Sequence, residues 1–347
     1  MKAAQDTEKK NEPQPPVYYF CTYFDRHFLS RALALYQSLI RHCAAFHLFV
    51  LCLDHETFES LGNLDLPHTT AIRLDHLEQA IPQLPLRKLE RSKMEYYYTC
   101  GPSFILYLLN CFSEIDLITY IDADVYFFAD PSPLFTELKG SSVGIVDHRY
   151  PRRIEKLKRF GIYNVGWVSF RRDESGLECL RWWADRCIEW CYDRVEKNRF
   201  ADQKYLEEFA VRFRAVHVLE HNGANLAPWN VASYQITREH SQILVDGQPL
   251  VFFHFHGFKV ISSWLFDTNL GWYHASLSPI VRRNVFGPYI QELRRLSPKT
   301  SPAHGLRNSS RNQSRGFGFF ARNARTAIQI VFAIVRRAYI VSFPRST

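Results

Sequence analysis

The sequence predicts an α/β domain built on a mostly parallel central sheet, and three observations predict it. Strand-like and helix-like stretches alternate from Val17 onward. Some of the strand-like runs are apolar throughout instead of alternating, the pattern of strands buried on both faces. An aspartate pair closes one such run, at the strand end where open α/β sheets expose their ligand crevice.

The elements follow in order. Val17 to Phe24 (VYYFCTYF) is a β-branched and aromatic run, hence a first strand. In the next stretch Leu29, Leu33, Tyr36, Leu39 and Ile40 recur at helical spacing, with Arg41 and His42 placed to meet the C-terminal dipole. Phe46 to Leu53 (FHLFVLCL) is a strand apolar at every position but His47, and strand, helix, strand implies a right-handed crossover. A weak strand near Thr69 to Leu74 precedes a helical stretch from Leu89 to Leu109, which Gly101-Pro102 is expected to interrupt. Leu117 to Ile121, Val143 to Val146, Asn164 to Phe170, Ala215 to Leu219 and Leu250 to His256 are further strands, with a long amphipathic helix between Gly176 and Tyr192.

Composition sets the bounds. The 347 residues are 46% hydrophobic and 22% charged, which is globular and excludes disorder and collagen. Net charge is +8, but nine basic residues and no acidic one fall between Pro298 and Thr347, leaving the first 297 residues at −1. A basic tail is not the footprint of a nucleic-acid-binding domain, so no nucleic-acid partner is expected. The eight cysteines form neither a CxxC pair nor a zinc spacing and are expected to be buried reduced thiols. Residues 1–16 are polar and Pro-containing without the apolar core of a secretory signal, so the expected location is the cytoplasm. The expected organisation is a disordered leader over 1–16, a catalytic domain over 17–297, and a basic linker and tail over 298–347. Phe319 to Phe343 is apolar at helical spacing with its arginines grouped on one side. A basic amphipathic helix of that kind lies on an anionic bilayer, here the inner face of the membrane, or docks on the body or a partner subunit.

The most informative feature is Asp122-Ala123-Asp124 at the end of LITYI. On an extended backbone both carboxylates of D-x-D face one side, and two like charges repel unless a divalent cation or a donor lies between them. Farther on, His254 and His256 alternate on one strand face beside Gly257 and Lys259, so that by period-2 geometry either imidazole can be a ligand. Oxygen ligands with one imidazole suit Mn²⁺ (or Mg²⁺) better than Zn²⁺.

TYIDADVYFFADPSPLF resembles the DxD region of nucleotide-sugar glycosyltransferases with the GT-A fold, especially the glycogenin-like family 8 group, and further segments are similar in the same order. The resemblance covers about Val17 to Lys259. It implies a GT-A, Rossmann-like fold, a nucleotide-diphosphate sugar as donor, and a hexosyl transfer with retention. It also implies site roles. Thr22 and Tyr23 match positions that contact the nucleotide base, and Asp122 and Asp124 match the metal and diphosphate site. Asn164 and Gly166, in YNVGWVSF, match the donor-sugar strand, and Asp202 and Gln203, in ADQKYL, lie near the sugar with catalytic roles. His254, Gly257 and Lys259 match an H-x-x-G-x-x-K motif that adds the third metal ligand and a diphosphate-binding lysine; its H-x-x-G spacing favours His254, with His256 as alternate, although here the lysine comes one residue early. The resemblance leaves the acceptor open; the basic tail fits a cell-surface glycan or a lipid-linked precursor.

Weaker candidates are Arg91 and Lys93 as basic donor contacts, and Asn222, Asn225 and Trp229 as an acceptor or sugar rim; Trp182, Trp183 and Trp190 read as core. Two other classes compete. D-x-D-x-V also satisfies a haloacid-dehalogenase-type phosphatase nucleophile, but no downstream acidic pair for Mg²⁺ follows. A non-catalytic membrane-surface protein of the same fold is the other, and the intact charged residues argue against it.

Overall fold

The computed structural model describes residues 15–297 and 339–342. The seven-stranded sheet takes β1 (Tyr18–Phe24), β2 (Phe46–Cys52), β3 (Thr69–Arg73), β4 (Leu117–Ile121), β6 (Val143–Asp147), β7 (Tyr163–Arg171) and β8 (Val216–Leu219), in the order β3-β2-β1-β4-β7-β6-β8. Four neighbouring pairs are parallel, and only β7 runs against both its neighbours. β5 (Val125–Phe127) leaves this sheet to pair elsewhere. The expected α/β class with a mostly parallel sheet is therefore observed.

Two hydrophobic cores, one on each face, explain the apolar strands. Phe46, Leu48, Val50 and Cys52 of β2 belong to one core, whereas Phe49, Leu51 and the following Leu53 belong to the other. Period-2 alternation thus sends successive side chains into opposite layers, and both layers are apolar. The helix Leu29–His42 buries Leu29, Leu33, Tyr36 and Leu39 against the first core, and its C-cap amide bonds Leu39 O. Seven of the eight free cysteines are buried, consistent with small apolar filling.

The expected interruption at Gly101-Pro102 is overturned. One helix, Lys93–Cys111, runs through both residues, started by a capping box in which Ser92 and Glu95 satisfy each other's orphan amides. The tertiary setting outweighs local propensity: Pro102 is buried, and Gly101 lets the Tyr23 ring approach, since a Cβ there would lie 3.1 Å from its Cε1.

Beyond β8 the chain builds smaller sheets. β9 (Ile236–Glu239), β10 (Gln242–Val245) and β11 (Gln248–Pro249) form a meander, and β12 (Phe252–His254) pairs antiparallel with β5. A third sheet takes β13 (Lys259–Val260), β14 (Leu265–Asp267) and β15 (Tyr339–Val341). This last strand corrects the helical reading of 319–343 at its end: Tyr339–Val341 is extended and paired with β14, and Ile340 is 3% exposed in the core. A short apolar run such as YIV fits a strand as readily as a helix, and an available sheet edge decides it. The remainder of the expected amphipathic helix, and the linker before it, lie outside the described residues. Among the described residues no helix is long and apolar enough to cross a membrane.

If β15 is an integral part of the body, Ile340→Ala should lower stability by about 2–4 kcal/mol, read as a fall in the urea midpoint at unchanged slope. An unmoved midpoint would mean that this strand does not contribute to the core.

Candidate metal and diphosphate site

The site begins with a turn. β4 ends at Ile121, the Val125 amide closes back onto Asp122 O at 3.1 Å, and the chain passes from the main sheet to β5. The extended D-x-D backbone expected from the sequence is therefore replaced by a tight turn, whose purpose is topological. It hands the chain to β5, where Val125 pairs with His254 in register, and the Asp124 carbonyl accepts from the Phe255 amide at 2.9 Å. The turn thus delivers the carboxylates to the imidazole.

Asp122, Asp124 and His254 converge, with one ligand atom from each lying within 4.8 Å of the others. His254 Nε2 is 3.4 Å from Asp122 Oδ2 and 3.1 Å from Asp124 Oδ1. Their side-chain exposures of 31%, 13% and 2% place the opening on the Asp122 side. Alternation along β12 sends Phe253 and Phe255 the other way, into the core, where Phe255 stacks on Tyr289 at 3.7 Å.

A hydrogen-bond network assigns the protons. The Gly166 amide donates to Asn164 Oδ1 at 3.1 Å, which fixes that atom as the oxygen. His254 Nδ1, 3.2 Å from the same oxygen, must then carry a hydrogen and donate it. Asn164 Nδ2 donates to His148 Nε2 at 3.3 Å and to Gln203 Oε1 at 3.4 Å. His148 in turn gives its Nδ1 hydrogen to Ile162 O at 3.1 Å, and Gln203 Nε2 donates to Phe160 O at 3.1 Å. Burial holds His148 neutral, lowering its pKa to about 3, as an acceptor at Nε2 requires. With Nδ1 committed, a neutral His254 presents its Nε2 lone pair to two carboxylates. That arrangement is repulsive unless a proton or a cation sits between them, and two carboxylates with an oriented imidazole fit a divalent ion.

Backbone irregularity makes room for this network. The register between β6 and β7 shifts between Ile145 and Val146, which pair with Val168 and Asn164, so that β7 bulges across Val165 to Trp167. Gly166 lies in the bulge, and a Cβ on it would stand 2.4 Å from Asn164 Oδ1 and 2.7 Å from His254 Nδ1. Gly257, at φ +68°, turns the chain after His256, and a Cβ there would stand 2.2 Å from Asn269 Nδ2.

The charges respond to one another. Burial raises the pKa of Asp122 and Asp124 adds to the rise. Burial also opposes ionisation of Asp124, but His254 outweighs it and holds the pKa at about 2. For His254, burial disfavours the charged form while Asp124 and Asp122 more than offset it, raising its pKa. Asp202, 5% exposed, is pushed up to about 7 by burial and then by the Asp122 charge.

The other expected residues sort by position. Tyr23 is partly exposed and packs its ring on Tyr120, 5.3 Å away, whose hydroxyl donates to Asp122 Oδ1 at 2.8 Å. Thr22, its neighbour on the opposite strand face, is fully buried, which corrects its expected contact with a base. Lys259 is exposed on β13, beyond the turn that Gly257 makes. His256 lies outside the three-residue cluster, its ring 5.6 Å from that of His254. Arg91 is buried and donates to Cys187 O and Ile188 O, each at 2.7 Å, so it caps a helix end and is not available as a donor contact. Lys93 pairs with Asp25 at 2.8 Å. Asn225 and Trp229 are buried, which corrects two members of the expected rim, whereas Asn222 is partly exposed; Trp229 walls the site instead, 5.3 Å from His254 and 5.6 Å from His256. Trp183 and Trp190 are core, as expected.

Sequence reasoning missed His148 and Arg31. Arg31 donates to Phe258 O at 3.0 Å, and its charge lowers the pKa of Asp124. Its position at the start of the helix that follows β1, where strand ends open to a crevice, is a signal that could have found it. His148 offered no motif.

No protein-family model matches the chain. It is 31% identical over 282 residues to the uncharacterized protein YfnD of Bacillus subtilis (strain 168), covering 80% of this chain and 89% of that protein. It is 34% identical over 251 residues to YfnF of the same strain, covering 70% and 82%. Similar solved structures include the galactosyltransferase LgtC in complex with donor and acceptor sugar analogues, at 16% identity, TM-score 0.44, and 71% and 89% coverage. The glycosyltransferase GlyE of Streptococcus pneumoniae TIGR4 gives 16% identity, TM-score 0.46, and 86% and 66% coverage. Mouse xyloside xylosyltransferase 1 gives 14% identity, TM-score 0.44, and 70% and 98% coverage.

Two outcomes are expected. Gly166→Ala should weaken Mn²⁺ binding at least tenfold by forcing Asn164 and His254 apart, measurable by titration of free Mn²⁺. Asp202 keeps its proton in the folded chain up to about pH 7, whereas the unfolded chain loses it near pH 4, so this group's contribution to stability falls as pH rises between those values. Asp202→Asn should therefore melt higher than the wild type at pH 8, with the gap closing toward pH 4; a gap independent of pH would contradict the assignment.

Proposed function

We propose that the chain, which belongs to the same family as YfnD and YfnF of Bacillus subtilis, is a metal-dependent glycosyltransferase moving a sugar from a nucleotide-diphosphate donor to a glycan or lipid-linked acceptor. The observation that carries the reading is the convergence of Asp122, Asp124 and His254, from separate stretches of sequence, with the His254 lone pair aimed at the carboxylates. A divalent cation bound there, Mn²⁺ or Mg²⁺, supplies Lewis-acid stabilisation for the charge that builds on a leaving diphosphate.

The chain's own residues do the rest. Asn164 holds His254 in one tautomer, and the bulge at Gly166 leaves the imidazole space to approach. Tyr120 holds Asp122 in place. Lys259 adds a positive charge for the diphosphate, and Arg31 ties the loop at Phe258 to the first helix while biasing Asp124 toward its ionised form. Tyr23 is the residue of the first strand that reaches the nucleotide side. Gln203, fixed through Asn164 and Phe160 O, orients the sugar, and Asp202 holds a proton that it can share with a sugar hydroxyl near neutral pH. Retention and a hexosyl donor are the finer readings that the glycogenin-like resemblance supports. The phosphatase alternative is not favoured: it calls for further acidic ligands around Asp122, whereas among the described residues the cluster containing Asp122 takes His254 as its third member.

Nucleoside diphosphates test the reading. UDP or GDP should raise the melting temperature only when Mn²⁺ is present. Asp124→Ala should lower Mn²⁺-dependent nucleotide-sugar hydrolysis by about a hundredfold or more while leaving the fold intact. Full activity of that variant in metal-depleted buffer would overturn the reading.

A further inference from the structure

The Asn164 nitrogen donates to His148 and to Gln203, and a single segment of chain joins those two acceptors. It begins at Tyr150, whose ring stacks on His148 with centroids 4.4 Å apart, and it ends at Phe160, whose carbonyl accepts from Gln203 Nε2 at 3.1 Å. Between them runs Arg152–Phe160 (RRIEKLKRF), two short helical turns that meet at Ile154, where φ −124° and ψ 19° leave the helical region. The apolar members hold it to the body. Ile154 is buried in a small cluster with Ala227, Trp229 and Tyr273, and Trp229 is the wall of the metal site. At the far end Lys204 Nζ donates to Lys158 O at 3.3 Å, and the Phe200 ring lies 4.8 Å from that of Phe160.

The charges lie outward. Arg152, Arg153, Lys156, Lys158 and Arg159 are all exposed, against a single carboxylate, Glu155, which Lys158 takes at 2.8 Å. Among the described residues Arg152, Arg153, Lys156 and Arg159 make no ion pair within 4 Å, and Arg159 only covers the Phe160 ring, 4.5 Å from its centroid. The first 297 residues together carry −1, so this concentration of positive charge is local. Like charges so close repel one another and do nothing for the fold, whereas they suit a ligand of opposite sign. Three of the four are arginines, whose planar forks pair bidentately with phosphate or carboxylate.

We propose that Arg152, Arg153, Lys156 and Arg159 bind the acceptor, and that the acceptor is an anionic glycan chain bearing phosphate or carboxylate groups. This rests on the transferase reading above, in which Gln203 orients the sugar: a rim that backs Gln203 and the Trp229 wall meets the molecule to which the sugar passes, while the diphosphate is met by the cation and Lys259. Exposed ion pairs are individually weak, so the rim acts through several charges on one repeating chain.

Labelled inorganic polyphosphate and labelled polygalacturonate, titrated by fluorescence anisotropy without divalent metal, test the two anionic chemistries. The wild type should bind at least one of them, less tightly as salt rises. The fourfold variant Arg152→Gln, Arg153→Gln, Lys156→Gln, Arg159→Gln should bind it about tenfold more weakly or worse, with a melting temperature within about 2 °C of the wild type. Removing the same charge from the tail, with Arg307→Gln, Arg311→Gln, Arg315→Gln and Arg322→Gln, should cost no more than about twofold. UDP affinity in Mn²⁺ should be equal in the wild type and the first variant. No loss in that variant, or an equal loss in both variants, would overturn the proposal. So would a matching fall in UDP affinity, because the charges would then serve the donor. Wild-type binding to neither polymer, with binding to vesicles of equimolar phosphatidylglycerol and phosphatidylcholine that the first variant loses, would make the rim a membrane contact and overturn it too. A wild type that binds no UDP in Mn²⁺ would instead remove the transferase reading, and the acceptor role with it.

Discussion

The amide of Asn164 is the constraint on which the rest of the site depends. Its oxygen accepts from the Gly166 amide and from His254 Nδ1, and its nitrogen donates to His148 and Gln203. A side-chain amide has a fixed sense, so one backbone hydrogen bond decides the tautomer of a histidine 90 residues away in the chain. That tautomer turns a lone pair toward Asp122 and Asp124. The three groups converge on one point, where a proton on His254 or a divalent cation relieves the repulsion between lone pair and carboxylates, and the low dielectric around buried His254 strengthens whatever charge they hold.

The fold serves this constraint with irregularities placed at one end of the sheet. A bulge in β7 opens space at Gly166, a turn at Ala123-Asp124 moves the chain from one sheet to another, and a left-handed Gly257 reverses it after His256. Each departs from ideal strand geometry; the bulge leaves room for Asn164 and His254 beside Gly166, and the turn brings Asp124 to His254. The regular parts, two apolar cores separated by one sheet, supply the rigidity against which these departures are held.

Much of this was legible in the sequence. The run of β2, apolar but for His47, announced a strand buried on both faces, and LITYI running into two acids marked a strand end with a function. The pairing of D-x-D with H-x-H was readable through the family resemblance, whose motif supplies a third ligand, and the chemistry of two carboxylates and an imidazole is consistent with it. Other features depend on long-range contacts that local pattern does not carry. Pro102 continues a helix because a capping box and a buried setting outweigh its propensity, and Arg91 is spent on helix-end carbonyls that no spacing rule reveals. Tyr339–Val341 is a strand because β14 offers an edge, a fact absent from the period of the tail. His148 stayed invisible because its role is to accept one hydrogen bond from an amide.

The central claim, that His254 Nε2 joins Asp122 and Asp124 on one cation, is open to a direct spectroscopic measurement. Electron spin echo envelope modulation of Mn²⁺ bound to the protein should show coupling to a single histidine nitrogen. That coupling should vanish in His254→Gln and persist in His256→Gln. Coupling that survives in His254→Gln, or that disappears in His256→Gln, would contradict the account.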